Sequence, residues 1–488
     1  MRTGLTVLKN TGVLLLGRGI AIALGVVYIA ALSRYVQASG MGIIATATSF
    51  VAMLSLLLNF GLNDVTIRDI SADRSRVSAY LPNLFFLRGV FVGIFFVLVL
   101  LFSWLIDYPP TTITVILIYG FVFILDELTL ICFSVFSAYE KMEYSAALQT
   151  GRDILNMLLS MAAIALHASL FVIVSISVFA SFVKLILGLV ILKWKFVLPK
   201  FRIDLAITRS LFLSTLPFAA MLFVSVVAKE VDVFVLSLFR PEEEVGWYSS
   251  AALLVNYLLL VPGIFLQAIF PVFSKFHATS PDELKRVYSI SFKYLLLLGC
   301  ALSFGTFITA GQVIDLVFGA GFEQAATVLM ILSPLLFWIF GYANGSYLNA
   351  TGGQGISTRF AVISVILTVG LSLTLTPRFG LVGAALTRII PGAILFIPLT
   401  LICHKRLSIL IPYMLILKSI LAASIMAGCV LWALCSEWHL LLAVFVVSPL
   451  TYGLALFALG VVGRPDVDLF FQMFNRKKLK VPNEHLIR

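Results

Sequence analysis

Residues 83–106 read NLFFLRGVFVGIFFVLVLLFSWLI, with Arg88 the one charged residue in the run. A helix needs about 20 consecutive apolar residues to cross about 30 Å of hydrocarbon, so this stretch reads as a membrane span. Working outward, the same reading holds at 11–33, 41–62, 112–136, 149–167, 169–192, 211–238, 246–271, 289–309, 325–349, 357–376, 380–402, 411–434 and 440–462. The expected fold is therefore an all-α integral membrane protein of about fourteen transmembrane helices, here numbered segments 1 to 14. A composition of 61% hydrophobic and 12% charged residues, with mean hydropathy +1.08, leaves room for little else.

The basic residues give the orientation. Of the 34 Lys and Arg, three fall on one set of alternate loops (Arg34, Arg240, Arg378) and five within segments (Arg18, Arg88, Lys184, Lys229, Arg388). All the others lie on the opposite set of connections or at the two ends. By the positive-inside rule those are cytoplasmic, so a multi-pass protein of the cell membrane with both termini inside is expected. Membrane lipids then account for the net charge of +11, because basic loops meet an anionic inner leaflet. No soluble domain is available to carry a nucleic-acid surface, and no nucleic-acid partner is expected.

The remaining features bound the class. Cytoplasmic connections at 64–82, 193–210 and 272–288 and the tail after Val462 are each too short for a domain of about 50 residues. Cys132, Cys300, Cys403, Cys429 and Cys435 form no Cys-x-x-Cys pair and read as small buried hydrophobes. Arg18 interrupts the first apolar run, which then continues to Leu32, so segment 1 reads as an uncleaved helix. The tail pairs an apolar patch at 469–474 with Arg476, Lys477, Lys478 and Lys480, which suits either an interfacial helix or a disordered basic extension.

An internal repeat organises the spans. Leu32-Ser33-Arg34-Tyr35 precedes Gly42 as Leu236-Ser237-Leu238-Phe239 precedes Gly246, an offset of 204 residues. The turn Ser137-Ala138-Tyr139-Glu140-Lys141 after segment 4 and the turn Leu348-Asn349-Ala350-Thr351-Gly352 after segment 10 are displaced by about the same distance. Six spans are an even number, so both copies enter from the same side and the repeat is parallel. The expected division is a six-helix bundle at 1–192, a basic cytoplasmic linker at 193–210, a second bundle at 211–402, two added helices at 403–462 and a basic tail at 463–488. Two such bundles facing a central cavity suit alternating access.

Several motifs carry a family resemblance. Leu8-Lys9-Asn10-Thr11-Gly12 with Arg18, the turn from Leu32 to Gly42, Asn59-Phe60-Gly61-Leu62 and Ile67-Arg68-Asp69-Ile70 mark the first half. Leu216-Pro217-Phe218, Lys229-Glu230-Val231-Asp232, Val245-Gly246-Trp247-Tyr248-Ser249-Ser250-Ala251, Phe270-Pro271 and Phe318-Gly319 mark the second. In their order and spacing these resemble the Wzx-type polysaccharide-biosynthesis flippases of the multidrug/oligosaccharidyl-lipid/polysaccharide exporter superfamily, over segments 1 to 12. The resemblance implies a carrier that moves a polyprenyl-diphosphate-linked oligosaccharide from the inner to the outer leaflet, with glycan polymerase or ligase machinery as conceivable partners. Fourteen segments also fit the lipid II flippase branch.

Such a cargo needs cations and hydrogen bonds inside the bundle. An intramembrane charge costs at least about 2.5–3.5 kcal/mol by insertion scales, so each one needs a reason. Arg18 lies about 10 Å into segment 1 and Arg388 about 12 Å in from the outer end of segment 12 at 1.5 Å per residue. Both suit a cationic cavity that receives diphosphate, the alternative being internal ion pairs. Lys229 belongs with them, as do Arg88 and Lys184, for which the alternative is snorkelling to headgroups from near the cytoplasmic face. Asp126 and Glu127 in segment 4 are candidate proton-coupling carboxylates, or structural partners of Lys229 or Arg388. Glu230 and Asp232 in segment 7 complete the set, with Lys229 and Asp232 spaced i, i+3 to pair with each other. Gly341 and Gly345 form a Gly-x-x-x-Gly packing face, and Pro217, Pro262, Pro334, Pro391 and Pro398 can bend helices around a cavity.

Neither enzyme chemistry nor a cofactor is expected. The one glycine-rich loop, Thr351-Gly352-Gly353-Gln354-Gly355, lacks the Gly-Lys-Ser/Thr ending that cradles nucleotide phosphates. There is no His-Glu-x-x-His, no Gly-x-Ser-x-Gly and no paired metal ligands. A membrane glycan polymerase would call for a long polar outer loop, and the outer connections run to about a dozen residues. A drug/ion antiporter of the same superfamily is the nearer rival, disfavoured by the cationic residues.

Overall fold

The computed structural model describes the backbone of residues 2–196 and 203–463 and the side chains of residues 24–75, 77–196 and 203–463. Within these the regular elements are helical. The first half holds α1 (Arg2–Asn59), α2 (Leu62–Ala72), α3 (Val77–Leu105), α4 (Pro110–Ala138), α5 (Met142–Ala165) and α6 (Leu170–Lys195). Then come α7 (Leu205–Phe239), α8 (Glu242–Thr279), α9 (Pro281–Phe318), α10 (Glu323–Leu332), α11 (Pro334–Phe337) and α12 (Tyr342–Ala350). The chain closes with α13 (Gln354–Leu407), α14 (Tyr413–Cys435), α15 (Leu440–Leu442) and α16 (Ser448–Ala458). Among the described residues, 11 helices are long and apolar enough to cross a membrane, which makes this a multi-pass membrane protein. α5 is not among the 11, because Glu143, Gln149, Arg152 and Asp153 crowd its first half.

Segment boundaries become backbone breaks. Helical geometry fails inside α1 at Gln37 (φ 60°, ψ −178°) and inside α13 at Gly380 (φ 56°, ψ −128°), so each is two helices joined at one residue. Segment 10 is not a single rod. It becomes α10, α11, a 3-10 turn at Trp338–Gly341 and α12, because Pro334 has no amide to donate back into the preceding turn. Glu140, His167, Ser408 and Glu437 all sit at positive φ just past helix ends. The following amides of Lys141, Ala168, Ile409 and Trp438 reach back five residues to Phe136, Ala163, His404 and Ala433 at 2.8–3.1 Å. That is the Schellman closure, made here without glycine.

After α4, Glu140 is left-handed and Lys141 donates to Phe136 O at 2.8 Å; after α12, Gly352 is left-handed and Gly353 donates to Leu348 O at 2.7 Å. Two of the three loop exceptions to the charge bias have a structural reason. Arg34 donates to Leu316 O at 2.7 Å near the end of α9, and Arg240 donates to Pro377 O at 3.1 Å just before the Gly380 break. Each guanidinium satisfies a carbonyl that a helix end leaves over.

The chain divides into two compact units. The first comprises residues 1–257, 314–332 and 358–395, and so draws helices from both expected bundles. Its core packs Ala47, Phe50 and Val51 of α1 against Phe95 and Val99 of α3 and Val115 and Ile116 of α4. A second layer joins Ile131, Val135 and Phe136 of α4 to Ile70, Leu81, Leu148 and Leu192. In the same unit α1 and α8 cross at Gly42 and Gly246. A Cβ on Gly42 would stand 1.6 Å from Glu242 O, and one on Gly246 would stand 1.9 Å from Ala38 O.

The second unit comprises residues 258–313, 333–357 and 396–488. Its buried polar centre is a chain in which Tyr288 Oη donates to Asn344 Oδ1 at 2.6 Å and Asn344 Nδ2 donates to Thr400 Oγ1 at 2.8 Å. Gly341 lies under the Phe396 ring, 2.6 Å from where its Cβ would be, whereas Gly345 meets nothing within 4 Å. The expected Gly-x-x-x-Gly face is therefore used at one glycine only. Cys132, Cys300 and Cys403 are buried as expected, but Cys429 is half-buried and Cys435 is exposed at the end of α14.

Candidate substrate cavity

Within the first unit, α1, α7, α8 and the second half of α13 line an open cavity of about 300 Å³. Its apolar wall comes from Leu32, Met41, Ile44 and Ala45 of α1 with Val233, Ala252 and Leu253. Its polar wall comes from Thr48, Lys229, Glu230, Ser249, Asn256, Tyr257 and Arg388. Gly42 and Gly246 let α1 and α8 approach at backbone distance beside it, which brings Met41 and Ser249 onto one surface.

The charges arrive already paired. Lys229 Nζ stands 3.0 Å from Glu230 Oε1, with the lysine side chain 73% exposed and the glutamate 19%. Arg388 places Nη1 3.6 Å from Asp232 Oδ2 and donates from Nη2 to Asn256 Oδ1 at 2.7 Å. Asp232 is buried behind that guanidinium, where it accepts from Tyr248 Oη at 2.6 Å and from its neighbour Val233 N at 2.8 Å. The expected Lys229–Asp232 pair is thus corrected. Asp232 turns to α13 and Lys229 to its sequence neighbour, because α13 presents Arg388 at the depth of Asp232. Two cations and two carboxylates cancel, so an anion entering the cavity would have to exchange with the carboxylates rather than fill a vacancy.

Arg88, Lys184, Asp126 and Glu127 stand apart from this cavity. Arg88 is buried in α3 and pairs with Glu127 of α4. It also donates to Leu58 O at 2.8 Å, a carbonyl in the last turn of α1, and to Asn63 Oδ1 at 2.9 Å. Lys184 of α6 is buried, 2.8 Å from Asp126 Oδ1 and within 3.3 Å of Gln149 Oε1. The snorkelling expected of Arg88 and Lys184 does not occur. Asp126 and Glu127 take these two cations instead of Lys229 or Arg388, because α3 and α6 flank α4. Arg18 lies in α1, and its side chain falls outside the described residues.

Tyr248, Asn256 and Tyr257 were not singled out for chemistry by the sequence. Tyr248 and Asn256 are eight residues apart on α8, about two turns, and so on one face; that spacing was the available signal. Among the described residues no group of His, Cys, Asp or Glu is arranged to hold a metal ion.

The profile of the polysaccharide biosynthesis protein family matches residues 7–277, more than half of the chain. The chain belongs to that family. It is similar to a probable low-salt glycan biosynthesis flippase of Haloferax volcanii, 28% identical over 166 residues, which are 34% of this chain and 35% of the relative. It is also similar to a capsular polysaccharide biosynthesis protein of Staphylococcus aureus, 26% identical over 191 residues, 38% of this chain and 47% of that one. The matches therefore span between a third and a half of those relatives. Among solved structures, the lipid II flippase MurJ in an inward closed conformation superposes with TM-score 0.72 at 13% identity, covering 94% of this chain and 99% of that one. An inward-facing multidrug resistance MATE family transporter of the MOP superfamily gives TM-score 0.59 at 16% identity, covering 78% and 94%. The polysaccharide biosynthesis family member thus has the fold of these transporters.

Proposed function

We propose that this protein flips a polyprenyl-diphosphate-linked oligosaccharide from the inner to the outer leaflet of the cell membrane by alternating access, for cell-surface polysaccharide assembly. The observation that carries the reading is the cavity itself, in which Lys229 and Arg388 stand on one wall beside Asn256, Ser249 and Tyr257. A guanidinium offers a diphosphate charge-assisted, two-point hydrogen bonding, and the neutral polar groups suit sugar hydroxyls. Exchange does the work. The incoming phosphates take Lys229 and Arg388 from Glu230 and Asp232, and release on the far side restores the internal pairs. Because those pairs re-form, the empty carrier is not left with unpaired charge in the membrane on its return.

In this reading the chain crosses about fourteen times with both ends cytoplasmic, the Gln37 and Gly380 breaks each separating two crossings and α5 crossing despite its polar residues. The repeats at 1–192 and 211–402 rock about the cavity, and the reciprocal Gly42–Gly246 contact supports a two-fold relation between them. A gradient or consumption of the flipped product drives the cycle, as no phosphate-binding loop is present to hydrolyse nucleotide.

The test is purified protein in liposomes loaded with a fluorescent polyprenyl-diphosphate glycan, with outer-leaflet probe quantified over time. Flipping above protein-free liposomes, lost in Arg388→Ala, is the expected result; no acceleration sinks the reading. Lipid II is the second cargo to assay, favoured by the 94% coverage of this chain by the MurJ fold.

A further inference from the structure

A second cavity in the first unit, of about 440 Å³, lies between the same α1 and α7 that carry the charged one. Every side chain lining it is apolar, with Met53, Leu57 and Phe60 from α1 and Leu216, Ala220 and Phe223 from α7 among them. The hollow has a local cause. Pro217 cannot donate into the turn before it, and Ala219 and Ala220 supply no volume between Leu216 and Phe223. The α7 wall is fixed opposite Gly61, where φ of +78° turns the chain and a Cβ would stand 2.5 Å from Phe218 Cβ.

An apolar cavity of about 150 Å³ already takes up benzene, so this one has room for about three branched five-carbon units. Phe223 lies six residues before Lys229 on α7, about 9 Å at the helical rise. Thr48 of the charged cavity and Met53 are about 8 Å apart along α1 by the same rise. A prenyl diphosphate has this layout, with its anionic head joined directly to an isoprenoid chain whose first units lie within that span. We infer that the apolar cavity seats the first isoprenoid units of a prenyl-linked diphosphate whose phosphates rest on Lys229 and Arg388. The assignment rests on the lipid-linked cargo proposed above and adds which part of the lipid the protein reads.

The energetics fix what the seat does. Membrane lipid is as apolar as these walls, so moving a prenyl chain from lipid into the cavity adds little affinity. The cavity orients the chain and selects for branched, methyl-bearing units that fill it. Its signature is therefore position and selectivity more than tightness.

The experiment uses full-length protein in liposomes with three diazirine probes: a prenyl diphosphate labelled on an early isoprenoid unit, the matching prenol without phosphates, and a phospholipid labelled on an acyl chain. Crosslinked positions are mapped by mass spectrometry of peptides. The prenyl diphosphate should label residues 53–60 and 216–223, and unlabelled prenyl diphosphate should compete. Ala220→Phe, which fills the space, should at least halve that label; Leu57→Ala, which widens it, serves should the first variant fail to fold, and should spread the label over more positions. Equal labelling of these residues by the prenol or the phospholipid overturns the inference, as does label confined elsewhere. Crosslinking needs no transport, so a protein that flips glycan without labelling here refutes the seat alone, whereas one that labels here without flipping refutes the transport reading alone.

Discussion

Gly42 and Gly246 meet reciprocally, each amide nitrogen 3.0 Å from where the other's Cβ would stand. The carbonyls involved, Ala38 O and Glu242 O, lie at the same offset of 204 residues as the glycines. A contact in which residue i meets j while the copy of j meets the copy of i is what a two-fold relation produces. Gly42→Ala and Gly246→Ala should each destabilise by about 1–3 kcal/mol, the usual cost of overpacking. The double variant should cost less than the sum, because backbones spread by one methyl already admit the other. Thermal unfolding in detergent, run as a double-mutant cycle, measures this; strict additivity would mean the two positions are not in one contact.

Arg88 and Glu127 should behave as one structural unit. Arg88→Ala leaves a buried carboxylate and the Leu58 carbonyl unpartnered, a loss expected at about 3–5 kcal/mol. Removing both charges, as Arg88→Met with Glu127→Leu, should recover much of the folded protein. Size-exclusion profiles of fluorescent fusions report the folded fraction, and full folding of Arg88→Ala alone would show the pair to be dispensable.

Arg388 should be the opposite case. It holds two partners at once, Asp232 and Asn256. Arg388→Ala paired with Asp232→Asn should restore folding, since no charge is then stranded, yet leave transport abolished. Arg388→Lys should recover only part of the rate, because an ammonium is a point charge without the planar fork. Vesicle transport assays on the three variants decide it, and full activity of the double variant would remove Arg388 from the substrate path.

Proton coupling is expected at Glu230 rather than at Asp126. Glu230 lines the cavity against an exposed lysine, whereas Asp126 is tied to the buried Lys184. Glu230→Gln should therefore flip substrate equally with and without an imposed pH gradient, while Asp126→Asn keeps the wild type's dependence. A wild type indifferent to the gradient would dismiss proton coupling altogether.

The cap chemistry shows where reading the sequence stops. Glu140, His167, Ser408 and Glu437 end helices in the left-handed region without glycine. A non-glycine residue there costs about 1–2 kcal/mol, so the residue type alone points away from the conformation that the neighbouring helices enforce. The two glycines of the expected repeat were easier to pick out, because Gly42 and Gly246 have no substitute at a backbone crossing.

Length and polarity of the apolar runs determined the membrane class, since the hydrocarbon thickness and the cost of burying charge act on each segment separately. The same local terms picked out Lys229, Glu230, Asp232 and Arg388 as charges needing a reason. That Asp232 meets Arg388 was decided by tertiary structure alone. Successive residues on a helix point about 100° apart, so the partner of Asp232 depends on how α13 is rotated and how deep it sits against α7. Side-chain packing across helices distant in sequence sets both, and no spacing within segment 7 encodes them.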